Sequence, residues 1–201
     1  MGDAGKLVVI CGIDGSGKTT LEESIAKELK ERGISVLQTK QPSDSYRKHP
    51  YVRSYLDSGS EKISMEALAL LSAYDRMEHI ETTIVPALAN GTWVLCNRYV
   101  YSAIAYFSHR GVDKCFVKEI NTNVIEPDFA FLTDIPAEKA CQRVKARDGD
   151  TIKFEEKNVS FMEQVRQTLL DEFPQKFSVL DAQESKEELF RKAMETIENE
   201  L

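Results

Sequence analysis

The chain has 201 residues, 33 acidic and 26 basic side chains, a net charge of −7, and 42% hydrophobic against 29% charged residues. This suits one α/β unit able to bury a sizeable core, and the acidic balance argues against a nucleic-acid polymer as partner, which needs clustered Lys and Arg to release counterions. No apolar run approaches the roughly 20 residues of a membrane-spanning helix and the polar start lacks the apolar stretch of a secretory signal, so the expected setting is cytoplasmic and away from the membrane.

Residues 7–11 form the first apolar strand, followed by a glycine-rich turn over 12–19 and a helix over 19–32 that Gly33 stops. Residues 34–39 read as the second strand. The polar stretch 41–62 holds one helical patch at 51–56. A long helical pattern over 64–89 opens on a capping serine, Ser64, ends on Asn90-Gly91, and is bent or divided by Pro86. Residues 93–96 are the third strand, with helical segments at 101–108 and 113–124; residues 129–132 are the fourth, with helices at 136–147 and 157–172. Residues 177–180 are the fifth strand, and a helix over 186–201 closes the chain. Strands alternating with helices predict an α/β fold: a five-stranded parallel sheet with helices on both faces, and ligands beyond the carboxyl ends of its strands. No repeat or linker divides the chain, so residues 1–201 read as a single domain. The four cysteines, at 11, 96, 115 and 141, form no CxxC pair, which argues against structural zinc; Cys11 and Cys96 read as core residues.

The run Gly12-Ile13-Asp14-Gly15-Ser16-Gly17-Lys18-Thr19 matches GxxxxGK[ST] in full, between a strand and a helix. Glycines let the backbone curl so that successive N–H groups face phosphate oxygens, and the helix start adds a positive dipole end. Lys18 is placed to reach the β- and γ-phosphates and the Thr19 hydroxyl to ligate Mg²⁺. The pattern therefore points to a P-loop NTPase fold binding ATP through Gly12, Asp14, Gly15, Ser16, Gly17, Lys18, Thr19 and Thr20. A switch GTPase is disfavoured: the only DxxG lies inside the loop, at 14–17, and no NKxD appears.

Beyond the loop, an ordered set runs along nearly the whole chain: Thr39-Lys40-Gln41-Pro42, Leu70-Leu71-Ser72-Ala73-Tyr74-Asp75-Arg76, Asn97-Arg98-Tyr99, Ser102, Ala105-Tyr106, Pro127-Asp128 and Val179-Leu180-Asp181-Ala182. In this set the chain resembles the thymidylate kinase family of nucleoside monophosphate kinases, as a divergent member. The resemblance implies transfer of the ATP γ-phosphate to dTMP, giving dTDP, with Mg²⁺ as cofactor and a homodimer packed through helices. Alternatives are the same chemistry on another (deoxy)nucleoside monophosphate such as dUMP, or a non-catalytic nucleotide-binding protein.

The resemblance implies roles residue by residue. Asp14 matches the loop aspartate that meets the sugar 3′-hydroxyl, Arg98 the arginine that clamps the phosphates being joined, and Arg76 the arginine at the base edge, with Ser72 on the same helical face. Arg53 resembles the arginine holding the acceptor phosphate. Gln41, Pro42, Tyr99, Ser102 and Tyr106 complete the acceptor site, the tyrosines as walls against the sugar. Residues 143–157 resemble the family's lid, with Arg147 as the catalytic arginine beside Lys18 and Arg98, and Arg143 and Lys153 behind it.

Five positions depart from the family pattern. Cys11 stands where a glutamate is usual and Asn97 where an aspartate is, which removes carboxylate charge near the metal. Ser72 replaces a stacking aromatic, Ala103 a serine or asparagine, and Phe107 a glutamine; Tyr74 or Phe107 are the candidates for replacement stacking.

Overall fold

The structure, a computed structural model, describes residues 5–199. Five parallel strands form one sheet: β1 (Leu7–Cys11), β2 (Val36–Lys40), β3 (Trp93–Asn97), β4 (Phe129–Asp134) and β5 (Ser178–Asp181), in the order β2-β3-β1-β4-β5. Every residue of β1 is buried, as are the first four of β3, which is why both read as unbroken apolar runs rather than alternating ones. Edge strands β2 and β5 are half-exposed. Register aligns Val9 with Cys96 on one side and Ala130 on the other, so β1, β3 and β4 end side by side.

The sheet is surrounded by α1 (Lys18–Glu31), α2 (Asp44–Lys48), α3 (Pro50–Ser58), α4 (Met65–His79), α5 (Val85–Ala89), α6 (Val100–His109), α7 (Lys114–Glu119), α8 (Ala137–Asp148), α9 (Val159–Glu172) and α10 (Lys186–Glu198). α1 buries Leu21, Ile25 and Leu29 and packs against α10, while α6 packs against α4, α7 and α9.

Four segments differ from the sequence reading. The pattern over 64–89 stays helical but is divided: α4 passes into one wide π-helical turn, Ile80–Ile84, before α5. Pro86 lies in the first turn of α5, has no N–H to give, and its ring displaces the carbonyl four residues back, which the wider turn accommodates. The helix expected over 113–124 stops at Glu119. There the Asn121 amide donates to Val117 O (2.8 Å) and the Thr122 hydroxyl to Glu119 O (3.1 Å), taking carbonyls that another turn would need. β2 begins two residues later than read, where Val36 pairs with Trp93. The stretch 41–62 contains an additional helix, α2, capped by Ser43, whose hydroxyl accepts from Ser45 N and Tyr46 N. The last residues of the closing helix, 200–201, lie outside the described residues.

Candidate active site

The carboxyl end of β1 runs into the glycine-rich turn, and crowding dictates its glycines. At Gly12 a Cβ would lie 2.6 Å from both Ser16 Oγ and Thr133 Oγ1; at Gly15 it would lie 2.3 Å from Ala140 O in α8, and both residues have positive φ. Ser16 and Thr133 share a hydrogen bond of 2.7 Å, tying the turn to β4. The turn opens α1 with Gly17 as N-cap and no side-chain capping bond, which leaves N–H groups of the first turn for an anion. Lys18 is buried, and its ammonium donates to Ile13 O at 2.7 Å. Burial, and then the neighbouring Arg98, pull its pKa from the ordinary lysine value down to about 7.

Asp14, Gly15, Ser16, Gly17 and Lys18, with Thr19 and Thr20, line one cavity together with Arg143 and Arg147 of α8 and Asn97 of β3. A second cavity is lined by Gln41, Pro42, Ser72, Arg76, Tyr99, Ser102 and Tyr106, joined by Tyr46, Tyr55, Phe107 and Arg110. Asp14, Arg47 and Arg98 line both. Of the candidates of the sequence reading, all but Gly12, Arg53 and Tyr74 line one cavity or the other.

Arg98 stands at the junction because the chain turns sharply at the end of β3. Its φ is +67°, costly for a side chain of this kind by about 1 kcal/mol. Its N–H donates to Ile10 O (2.8 Å), and its guanidinium donates to Asp14 Oδ1 (2.9 Å) and Tyr106 Oη (3.3 Å) while lying 5.0 Å above the Tyr106 ring. Burial would raise the Asp14 pKa, but Arg98, then Lys18 and Lys153, outweigh it and hold the carboxyl well below the usual range.

The floor of the second cavity is a buried polar chain. Arg76, 1% exposed, donates to Asn121 Oδ1 (2.9 Å), Gln41 Oε1 (3.0 Å) and Ser72 Oγ (3.5 Å). Its carboxamide and hydroxyl partners carry no charge, and burial lowers its pKa. Gln41 in turn faces His79 Nδ1 at 3.2 Å, and His79 Nε2 lies 2.8 Å from Thr39 Oγ1. Ser102 is buried, its hydroxyl 3.8 Å from Cys11 Sγ, and the Tyr99 hydroxyl donates to Ile125 O at 3.0 Å.

Arg53 lies on the exposed side of α3, paired with Asp57, and lines neither cavity. Arg47 lines both; its Nε donates to Pro42 O at 3.2 Å. The sequence reading missed it because α2 was not recognised; Ser43 followed by Asp44 was the available signal of a helix start. Tyr74 is 67% exposed: two residues from Ser72 on α4, it points about 200° away around the helix and cannot stack in the cavity. Phe107 does line the cavity, with the Arg110 guanidinium 4.8 Å above its ring.

Between α8 and α9 the chain crosses the second cavity. Glu155 accepts two bonds from Arg110 (2.7 Å each) and one from the Tyr55 hydroxyl (2.8 Å), all three side chains being largely buried. Phe154 N–H donates to Leu56 O (2.9 Å) and Lys153 pairs with Glu156 at 2.6 Å. Arg147 is exposed and paired with Asp148 at 2.6 Å.

At the departures from the family pattern, Cys11 is fully buried, its thiol pKa pushed up by that burial. Asn97 Nδ2 donates to Glu22 Oε2 (2.9 Å) and lies 3.4 Å from Thr19 Oγ1. Glu22 was read as an ordinary helix residue; its place one turn after Thr19, on the same face of α1, is the signal that marks it.

A family model described as thymidylate kinase matches residues 10–193. The chain is 37% identical over 203 residues to a probable thymidylate kinase of Pyrococcus horikoshii, covering 98% of both chains. It is 35% identical over 196 residues to a probable thymidylate kinase of Archaeoglobus fulgidus, covering 97% of this chain and 96% of that one. To a thymidylate kinase of Carboxydothermus hydrogenoformans it is 35% identical over 191 residues, covering 92% and 93% respectively.

Proposed function

The chain belongs to the thymidylate kinase family and transfers a phosphoryl group from ATP to dTMP; from that premise we propose which of its residues carry each part of the reaction. One observation supports the assignment above the others: Asp14, Arg47 and Arg98 line both cavities, so a donor phosphate in one and an acceptor phosphate in the other would meet at two guanidinium groups.

ATP binds with its phosphates in the turn 12–19, against the uncapped N–H groups of α1 and the Lys18 ammonium. The acceptor lies in the second cavity, its base toward Arg76 and Gln41, its sugar between Tyr99 and Tyr106, its phosphate toward Arg47 and Arg98. Arg47 takes the role first given to Arg53. Asp14 holds Arg98 in place with one oxygen and leaves the other for the sugar hydroxyl. Lys18, Arg98 and Arg147 offset charge on the phosphoryl group as it passes in line between oxygens. No general base is required, since the acceptor oxygen is already an anion.

The residues fit a hard divalent cation: the Thr19 hydroxyl is exposed to the donor cavity, beside the Asn97 carboxamide and the Glu22 carboxylate. Mg²⁺ bound there would neutralise β- and γ-phosphate charge. Residues 1–201 act as one kinase domain, and 143–157 as its lid. Glu155 pins the lid over the acceptor by its bonds to Arg110 and Tyr55, excluding water that would divert the phosphoryl group to hydrolysis.

Among the described residues no helix is long and apolar enough to cross a membrane. The unpaired cysteines favour a reducing, cytoplasmic setting. A homodimer is supported by Leu70 and Tyr74, exposed and four residues apart on the outer face of α4; light scattering should give twice the chain mass, and Tyr74→Lys should reduce it to one.

The experiment for the whole reading is ADP formation from Mg-ATP with dTMP, dUMP, dCMP, dGMP, UMP and CMP. Preference for dTMP is expected. ATP binding without turnover on any acceptor would sink these catalytic assignments.

A further inference from the structure

The corner where β3 meets α1 holds a carboxylate that no side chain among the described residues neutralises. Glu22 is 6% exposed. Its Oε2 accepts from Asn97 Nδ2 at 2.9 Å and its Oε1 from Gln38 Nε2 at 3.5 Å. Both partners are neutral amides, and the charge that acts on it, that of Glu23, has the same sign. Burying a carboxylate without a counter-charge is costly, and such groups in proteins are paired or serve a cation.

The surroundings say where that cation would sit. The Asn97 amide nitrogen that binds Glu22 also lies 3.4 Å from Thr19 Oγ1, on the wall of the cavity that receives phosphates. Because an ionised carboxylate can only accept, Nδ2 must face Glu22, which leaves Asn97 Oδ1 outside that bond. Glu22 follows Thr19 by three residues on α1, so the two project from one face. Hydroxyl, carboxamide and carboxylate thus form one connected set.

We infer that Glu22 is a positioning residue for the divalent cation of the bound nucleotide: it supplies the negative charge of the metal corner from α1, in place of a carboxylate at position 97, and orients Asn97 toward water in the metal's coordination shell. This rests on the reading that phosphates occupy the turn 12–19 and that the cation meets Thr19. It also sets an expectation for Asn97→Asp. That substitution would set two carboxylates about one hydrogen bond apart beside a single cation, and like charges so close oppose ionisation of both.

The test is calorimetric titration of the full chain with ADP, with and without Mg²⁺, so that binding rather than turnover is read. In the unaltered chain Mg²⁺ should tighten ADP binding. Glu22→Gln, which keeps size and can still accept from Asn97 through its one amide oxygen, should leave metal-free ADP affinity unchanged and remove about tenfold of the Mg²⁺-dependent gain. Asn97→Asp alone should not increase the gain, whereas Glu22→Gln combined with Asn97→Asp should recover most of it. A gain that survives Glu22→Gln, an equal loss with and without Mg²⁺, or a double variant no better than Glu22→Gln would each overturn the role of Glu22. An unaltered chain whose ADP affinity ignores Mg²⁺ would instead overturn the metal placement, and the role of Glu22 with it.

Discussion

The two halves of the cleft are assembled differently. On the donor side one wall is a run of consecutive residues, 14–21, whose backbone is shaped by positive φ at Gly15 and Gly17. On the acceptor side they are side chains from distant points of the chain: Arg76 meets Asn121 across 45 residues, and Tyr55 meets Glu155 across 100. The phosphate turn itself is therefore complete as soon as one strand–turn–helix unit is formed, while Arg47, Asn97, Arg98, Arg143 and Arg147 join it from other elements. The acceptor half exists only when α2, α3, α4, α6 and the segment carrying Glu155 are all in place, so acceptor binding is linked to the lid through Glu155, whereas the donor side meets it only through Arg143 and Arg147.

Substitutions that strike one half or both can break this contrast. Arg98→Ala removes the guanidinium that lines both cavities and should lower kcat by about 10³-fold, with affinity reduced for both nucleotides; a loss confined to one nucleotide in steady-state kinetics would place Arg98 in one half only. Gly15→Ala should act on the donor alone, because its Cβ would lie 2.3 Å from Ala140 O. We expect about 2 kcal/mol off ATP binding, roughly 30-fold, with dTMP affinity unchanged by calorimetry. Arg47→Ala should act mainly on the acceptor, raising KM for dTMP about 20-fold through loss of a charge-assisted contact. Arg53→Ala should change it less than about twofold, since that side chain is exposed and paired with Asp57. Reversal of this order in initial-rate measurements would restore Arg53 to the site.

A change of pH also separates the two halves. Lys18 titrates near 7 in the free protein, below its ordinary lysine value, and bound phosphates would raise it again. Above pH 7 ATP binding should then take up close to one proton, and ATP affinity should fall by up to about tenfold per pH unit. The acceptor half relies on arginines, which keep their charge, so dTMP affinity should stay flat over the same range. Calorimetry in two buffers of different ionisation enthalpy would read the uptake; none would mean that Lys18 is already charged in the free protein.

The same contrast governs what could be read in advance. GxxxxGK[ST] announces its geometry, because strand, turn, lysine and helix are contiguous and each residue type has a local reason. The five strands were legible too, since β1 and β3 are buried on both faces and appear as unbroken apolar runs. Arg47 was not legible: the stretch 41–62 has no hydrophobic period, and α2 is only five residues long. Nor was the exclusion of Tyr74, which depends on the face α4 turns inward. Cys11 and Asn97 were visible as missing carboxylates, but the carboxylate beside them belongs to another element.

By itself the sequence determined the class of fold, the nucleotide turn and the family of the chain, because these rest on local periodicity and on residues adjacent along the backbone. Only the tertiary structure decided which arginines line both cavities, which aromatic rings line the acceptor pocket, and that Asn97 bridges Glu22 and Thr19. Those relations depend on sheet register and helix rotation, and a rotation of two residues on a helix moves a side chain to the opposite face.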